Sequence, residues 1–126
     1  MKTSTTVVTI LLIALLGCTQ DDSTNVTVDH TLLAPTNVTA TRIGLTAVRI
    51  NWSDNNESEE GYIVERQTGQ AQFVQQVFTT QDVATAVDSL GLAVNQTYAY
   101  RVRAIRYSER GNYSSVATIK LSLPYP

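Results

Sequence analysis

From Ala34 onward the chain alternates apolar and polar residues in short runs separated by turn formers, with no helical period long enough to compete. Val48, Ile50 and Trp52 alternate with Arg49, Asn51 and Ser53, which predicts a half-buried strand over residues 46–53. The stretch DNNESEEG, residues 54–61, breaks it with turn formers and a glycine. Tyr62 to Arg66 supply the aromatic and β-branched side chains that suit a pleated surface. After the turn QTGQ, AQFVQQVF predicts a strand with Phe73 and Val77 on one face, and a shorter run near Thr85–Val87 precedes the turn-like DSLG. TYAYRVRAI, residues 97–105, places Tyr98, Tyr100, Val102 and Ala104 opposite Arg101 and Arg103. SSVATIKLSL is expected as the last strand, after the loop YSERGNY, and TNVTATR as the first, marked by Pro35. About seven strands at spacings of roughly ten to fifteen residues predict an all-β antiparallel sandwich and argue against a parallel sheet.

The first thirty residues follow a different pattern. MKTSTT carries one lysine and no acid, and VVTILLIALL then forms an apolar core too short to span a membrane, which is the order of a secretory signal peptide. That core runs directly into Leu15, Leu16, Gly17 and Cys18. The tetrapeptide resembles the lipobox of bacterial lipoproteins, with Gly17 as the small residue before the cut, Leu15 as the apolar one, and Leu16 larger than usual. The resemblance implies that residues 1–17 are removed and that Cys18 becomes the acylated first residue. A lone thiol in an exported chain has no internal disulfide to make, so lipidation also accounts for it. Each buried methylene contributes about 0.8 kcal/mol, and two or three acyl chains give stable anchoring where one is marginal.

Residues 18–33, polar and acidic at their start, read as a flexible tether with a span of roughly 20 to 25 Å. The expected location is the bacterial cell envelope, attached to the outer membrane. Asp21 and Asp22 resemble the surface-export signal of some Gram-negative lipoproteins, and a plain soluble linker is the equal alternative. Loss of Lys2 with the leader shifts the formal charge from −2 to about −3, a balance that argues against nucleic acid as partner, since phosphate binding needs clustered cations. One domain over residues 34–123 with a short tail at 124–126 is expected, as a monomer.

PTNVTATRIGLTAVRINWSDNN, EEGYIVERQ and GLAVNQTYAYRVRAI, followed by GNYSS, resemble the fibronectin type III domain, a seven-stranded immunoglobulin-like sandwich. The resemblance implies structural roles for Trp52 on the second strand, for Glu60, Gly61 and Tyr62 at the opening of the next, and for Leu92 and Tyr98 around the sixth. Tyr98 is similar to the tyrosine of the corner motif, whose hydroxyl bonds to backbone a few residues upstream. Leu90 reads as a one-residue insertion, and Val94 and Asn95 replace the family's Pro-Gly turn.

Catalytic signatures are lacking: there is no nucleophile elbow, HExxH, CxxC or glycine-rich phosphate loop, and His30, the single histidine, falls in the tether. No enzyme activity, cofactor or metal is expected. Asp54, Asn56, Ser58 and Glu60 do place oxygens at alternate positions as a calcium loop would, but Glu59 stands where such a loop needs glycine, and the distal bidentate Glu is absent. Glu65, Arg101 and Arg103 are expected to form cross-strand ion pairs on a solvated face, with an anionic-polysaccharide surface as the alternative. Tyr107, Arg110 and Tyr113 flank the loop between the sixth and seventh strands and form the candidate binding site, against packing of both tyrosines over the sandwich edge. The loop reads ERG where fibronectin itself can hold RGD, so integrin recognition does not carry over. Six N-x-Ser/Thr matches reflect a composition rich in Asn, Ser and Thr. The expected function is a noncatalytic interaction or spacer module for an envelope protein. A carbohydrate-binding accessory role for polysaccharide capture is the alternative, and a minor hydrolase is disfavoured.

Overall fold

The computed structural model describes residues 31–124. The leader, Cys18 and the tether up to His30 lie outside them. Eight strands follow in order: β1 (Thr36–Gly44), β2 (Ala47–Ser53), β3 (Gly61–Thr68), β4 (Val74–Thr80), β5 (Thr85–Asp88), β6 (Thr97–Arg106), β7 (Glu109–Arg110) and β8 (Ala117–Lys120). One antiparallel sheet runs β1-β2-β5, and the other runs β4-β3-β6-β7 with β8 also paired to β6. The two inner faces enclose the core. β2 contributes Val48, Ile50 and Trp52, β3 contributes Tyr62 and Val64, and β6 contributes Tyr98, Tyr100, Val102 and Ala104, as the alternation predicts. Trp52 packs its ring against Tyr62 at a centroid distance of 5.4 Å. Leu92 is buried in the same core, and the Tyr98 hydroxyl accepts the Ala93 N–H at 2.7 Å, closing the expected corner.

Three local features depart from the sequence reading. Phe73 and Val77 do not share a face. Val64 pairs with Val77 while Glu65 pairs with Gln75, so Gln76 is an extra residue on β4, and this bulge reverses the side-chain parity between the two. Val77 packs on the core, while Phe73, just before the strand, turns to the outer face. The expected last strand, SSVATIKLSL, is also confined to β8, and two residues of the expected loop YSERGNY form β7. β7 makes two register pairs with β6, the chain leaves the ladder over residues 111–116, and β8 resumes it at Ala117. Ser114 spans the gap by donating its N–H to Val102 O at 2.8 Å and accepting the Val102 N–H on Oγ at 2.9 Å. Lastly, Leu32 belongs to the core and not to a free tether, and Asn56 holds both the N–H and the carbonyl of Leu33, at 2.7 and 3.0 Å.

Two buried tyrosines make the fold sensitive to alkali. Burial, reinforced by the hydroxyl's bond to Asp54, pushes the Tyr62 phenol far above its ordinary range, and burial beside Asp88 does the same for Tyr100. Unfolded tyrosine ionises near pH 10 whereas the folded chain keeps both protons, so this contribution is intact below about pH 10 and is lost as pH rises beyond it. For two groups the loss reaches up to about 2.7 kcal/mol per pH unit. The expected result is a thermal midpoint that drops steeply above about pH 10, with both phenols ionising only as the chain unfolds. Free titration of every tyrosine in the folded protein, followed by ultraviolet absorbance, would place Tyr62 and Tyr100 in water.

Candidate functional site

The strands give the sandwich two unlike ends. β1 starts beside the end of β2, with Thr36 opposite Ser53, and β6 ends beside the start of β3, with Ile105 opposite Gly61. The loop over residues 54–60, the β4–β5 turn and the β6–β7 turn therefore gather at one pole, together with the incoming segment at Thr31–Pro35. β8 finishes at the other pole, with Lys120 opposite Thr97.

At the first pole Tyr107 and Ser108 form the tight turn between β6 and β7. Tyr107 has a φ of 51° and is 84% exposed. A bulky L-residue in the left-handed region is disfavoured by about 1–2 kcal/mol, so the turn is held from below. The Tyr107 N–H donates to Glu60 Oε2 at 2.7 Å. Arg106 donates through Nη1 to Ser58 Oγ at 2.7 Å and pairs with Glu109 Oε2 at 2.6 Å through Nη2. Ser58, Arg106, Tyr107, Ser108 and Glu109 line an open depression beneath the ring.

Tyr113 has a different environment. Its ring lies flat on the outer face of the larger sheet, with the guanidinium of Arg101 3.6 Å and that of Arg103 4.4 Å from its centroid. Phe73 covers the other side of Arg101 at 4.1 Å. Under these rings Glu65, opposite Arg101 in register, accepts from Arg101 at 2.7 Å, from Arg103 at 3.5 Å and from the Tyr113 hydroxyl at 2.9 Å. Burial and the bond to Glu65 push the Tyr113 phenol upward. The expected Glu65, Arg101 and Arg103 pairs are thus present, but Glu65 is only 8% exposed, covered by the two arginines and the Tyr113 ring, which are themselves half-buried.

Of the three residues proposed from the sequence, then, Tyr113 is packed, Arg110 lies exposed on β7 opposite Ile105, and Tyr107 alone presents its ring freely at the pole. Sequence reasoning missed Glu60 as the acceptor beneath Tyr107 and Phe73 as the second wall around Arg101. The bulge hid Phe73, because it reverses the parity on which the assignment rested.

The fibronectin type III domain profile matches residues 33–120. Among curated proteins, none matches the chain. Several solved structures share its fold. An Fn3-like protein from Clostridium thermocellum is 18% identical over 71% of this chain and 93% of its own, with a TM-score of 0.60. The FN1–FN3 domains of chicken CNTN1 are 19% identical over 72% of this chain and 32% of theirs, with a TM-score of 0.66. A β-1,2-glucanase from Parabacteroides distasonis is 20% identical over 76% of this chain, which spans only 13% of that enzyme, with a TM-score of 0.64.

Proposed function

The chain belongs to the fibronectin type III domain family, and from that premise we propose that it is a noncatalytic, lipid-anchored protein of the bacterial cell envelope that holds an envelope protein at the Tyr107 turn. The observation that carries this reading is the exposed tyrosine ring at a positive φ. Glycine would close the same turn with less strain, so the ring is retained despite a backbone cost and without a packing role, as expected of a contact residue. Tyrosine offers a large, rigid surface with a polar tip, the type of side chain that anchors interfaces. Cys18 supplies the membrane attachment through its acyl chains, and no nucleic acid, metal or cofactor is needed for the binding itself.

A second reading, capture of polysaccharide, draws on the same ring, because a tyrosine face also stacks on sugars. The glucanase that carries a similar domain supports it. One experiment separates the two. The full-length chain, solubilised in detergent, is used to capture ligands from envelope extract and from a glycan panel, beside Tyr107→Gly. The variant should be as stable as the parent or more so, by up to about 1 kcal/mol, yet lose at least about tenfold in capture. Saturable binding to glycans alone would move the assignment to saccharide, and capture by neither form would leave a spacer. Cys18→Ser should release the protein from the membrane fraction with a changed mobility, and its retention there would remove the lipid anchor.

A further inference from the structure

Three carboxylates converge at the same pole, where the loop after β2 meets the β4–β5 turn. A carboxylate oxygen of each of Asp54, Glu59 and Asp82 lies within 4.8 Å of those of the other two. The surrounding chain satisfies only part of them. Asp54 Oδ1 accepts the Asn56 N–H at 2.8 Å and the Tyr62 hydroxyl. Glu59 Oε1 accepts the Asp82 N–H at 3.0 Å. Glu59 Oε2 is buried with no hydrogen-bond partner, in a residue only 2% exposed. Among the described residues no lysine or arginine pairs with any of the three; the ion pairs of Arg66, Arg101, Arg103 and Arg106 go to Asp88, Glu65 and Glu109.

Burying a carboxylate oxygen with neither donor nor counter-charge is costly, and two further acids beside it raise that cost. A cation seated between the three removes the penalty at every carboxylate at once. We propose that Asp54, Glu59 and Asp82 bind a hard divalent cation of the calcium class. The donors are all oxygen, which excludes the soft metals that prefer sulfur and imidazole. Calcium accepts irregular sets of carboxylates at 2.3–2.6 Å, so oxygens on opposite sides of one ion lie about 4.6–5.2 Å apart, in keeping with this cluster. Magnesium, at 2.0–2.1 Å and near-octahedral, usually takes one or two carboxylates and keeps its waters. Asp82 is exposed, so solvent completes the shell on its side. The ion would join two loops far apart in sequence, the one preceding β3 and the one between β4 and β5, beside the segment that supports Tyr107.

Terbium(III) is a direct probe, because Tyr62, bonded to Asp54, and Trp52 lie near enough to sensitise its luminescence. In the full-length chain in detergent, sensitised emission is expected, displaced by calcium with an affinity on the order of 10⁻⁴–10⁻³ M and much less readily by magnesium. Calcium at about 10 mM should raise the thermal midpoint by roughly 5–15 °C. Asp82→Asn should cut the calcium affinity at least about tenfold and raise the metal-free midpoint slightly, because it removes one of the three like charges while Asn tolerates the φ of 59° at this exposed turn. Glu59→Gln should abolish both responses. Absence of sensitised emission, emission unchanged in Asp82→Asn, or equal displacement by magnesium would overturn the assignment.

Discussion

Gly61→Ala is expected to abolish the folded state or to lower its stability by more than about 4 kcal/mol, a loss found only where a specific structural requirement is broken. A Cβ at this position would stand 1.8 Å from the Thr79 carbonyl oxygen and 3.2 Å from the Phe78 ring. Residue 61 also has a φ of 156°, which side chains rarely adopt. The obstructing oxygen is backbone of the neighbouring strand, so no rotamer change relieves the contact. β3 and β4 would have to separate at the pair Gly61 and Thr80, and the Tyr62 N–H would lose Thr79 Oγ1 at 3.3 Å. Glycine within a strand marks this kind of backbone approach. Urea unfolding followed by Trp52 fluorescence measures the effect, and a midpoint equal to the parent's would show that the two strands do not meet so closely.

Asp88→Ala is expected to cost about 3–5 kcal/mol, the range for removing one member of a buried ion pair. Asp88 is 3% exposed and accepts Arg66 Nη1 at 2.7 Å, the Tyr100 hydroxyl at 3.0 Å and the Leu90 N–H at 3.3 Å. Its loss leaves a guanidinium with only the Leu90 carbonyl at 2.9 Å and the Tyr98 ring at 5.4 Å, and a phenol with no acceptor. Glu109→Ala is the control. Its pair with Arg106 is shorter, at 2.6 Å, but the glutamate is 61% exposed, so its removal should cost under about 1 kcal/mol. Equal losses from the two substitutions, read as denaturant midpoints at constant slope, would show that burial does not set the ranking.

How much of this was legible in the sequence depends on whether a feature is local. The alternation around Trp52 and along residues 97–105 states which side chains face inward, because a period of two maps directly onto the faces of a sheet. The Leu92 and Tyr98 corner was legible only through the resemblance to the fibronectin type III domain. The bulge at Gln76 was not, since an extra residue shows itself only against the partner strand. The interruption between β7 and β8 depends on Ser114 finding Val102, again a contact across strands. The carboxylate cluster lay furthest from view. Spacing within one loop suggested Asp54, Asn56, Ser58 and Glu60, whereas the fold selects Asp54, passes over the other three for Glu59, and takes Asp82 from a separate turn. Among the candidate binding residues, exposure distinguishes Tyr107 from Tyr113, and exposure is a property of the packed sheet.

The placement of the start of β1 and the end of β8 at opposite poles also determines how the domain carries force. Tension applied between Thr36 and Lys120 pulls β1 along β2 and β8 along β6, at right angles to the hydrogen bonds that join each pair. The ladder bonds are then loaded together in shear, so that none opens before its neighbours as in a hairpin pulled apart from its end. Built this way, the sandwich resists extension along its length.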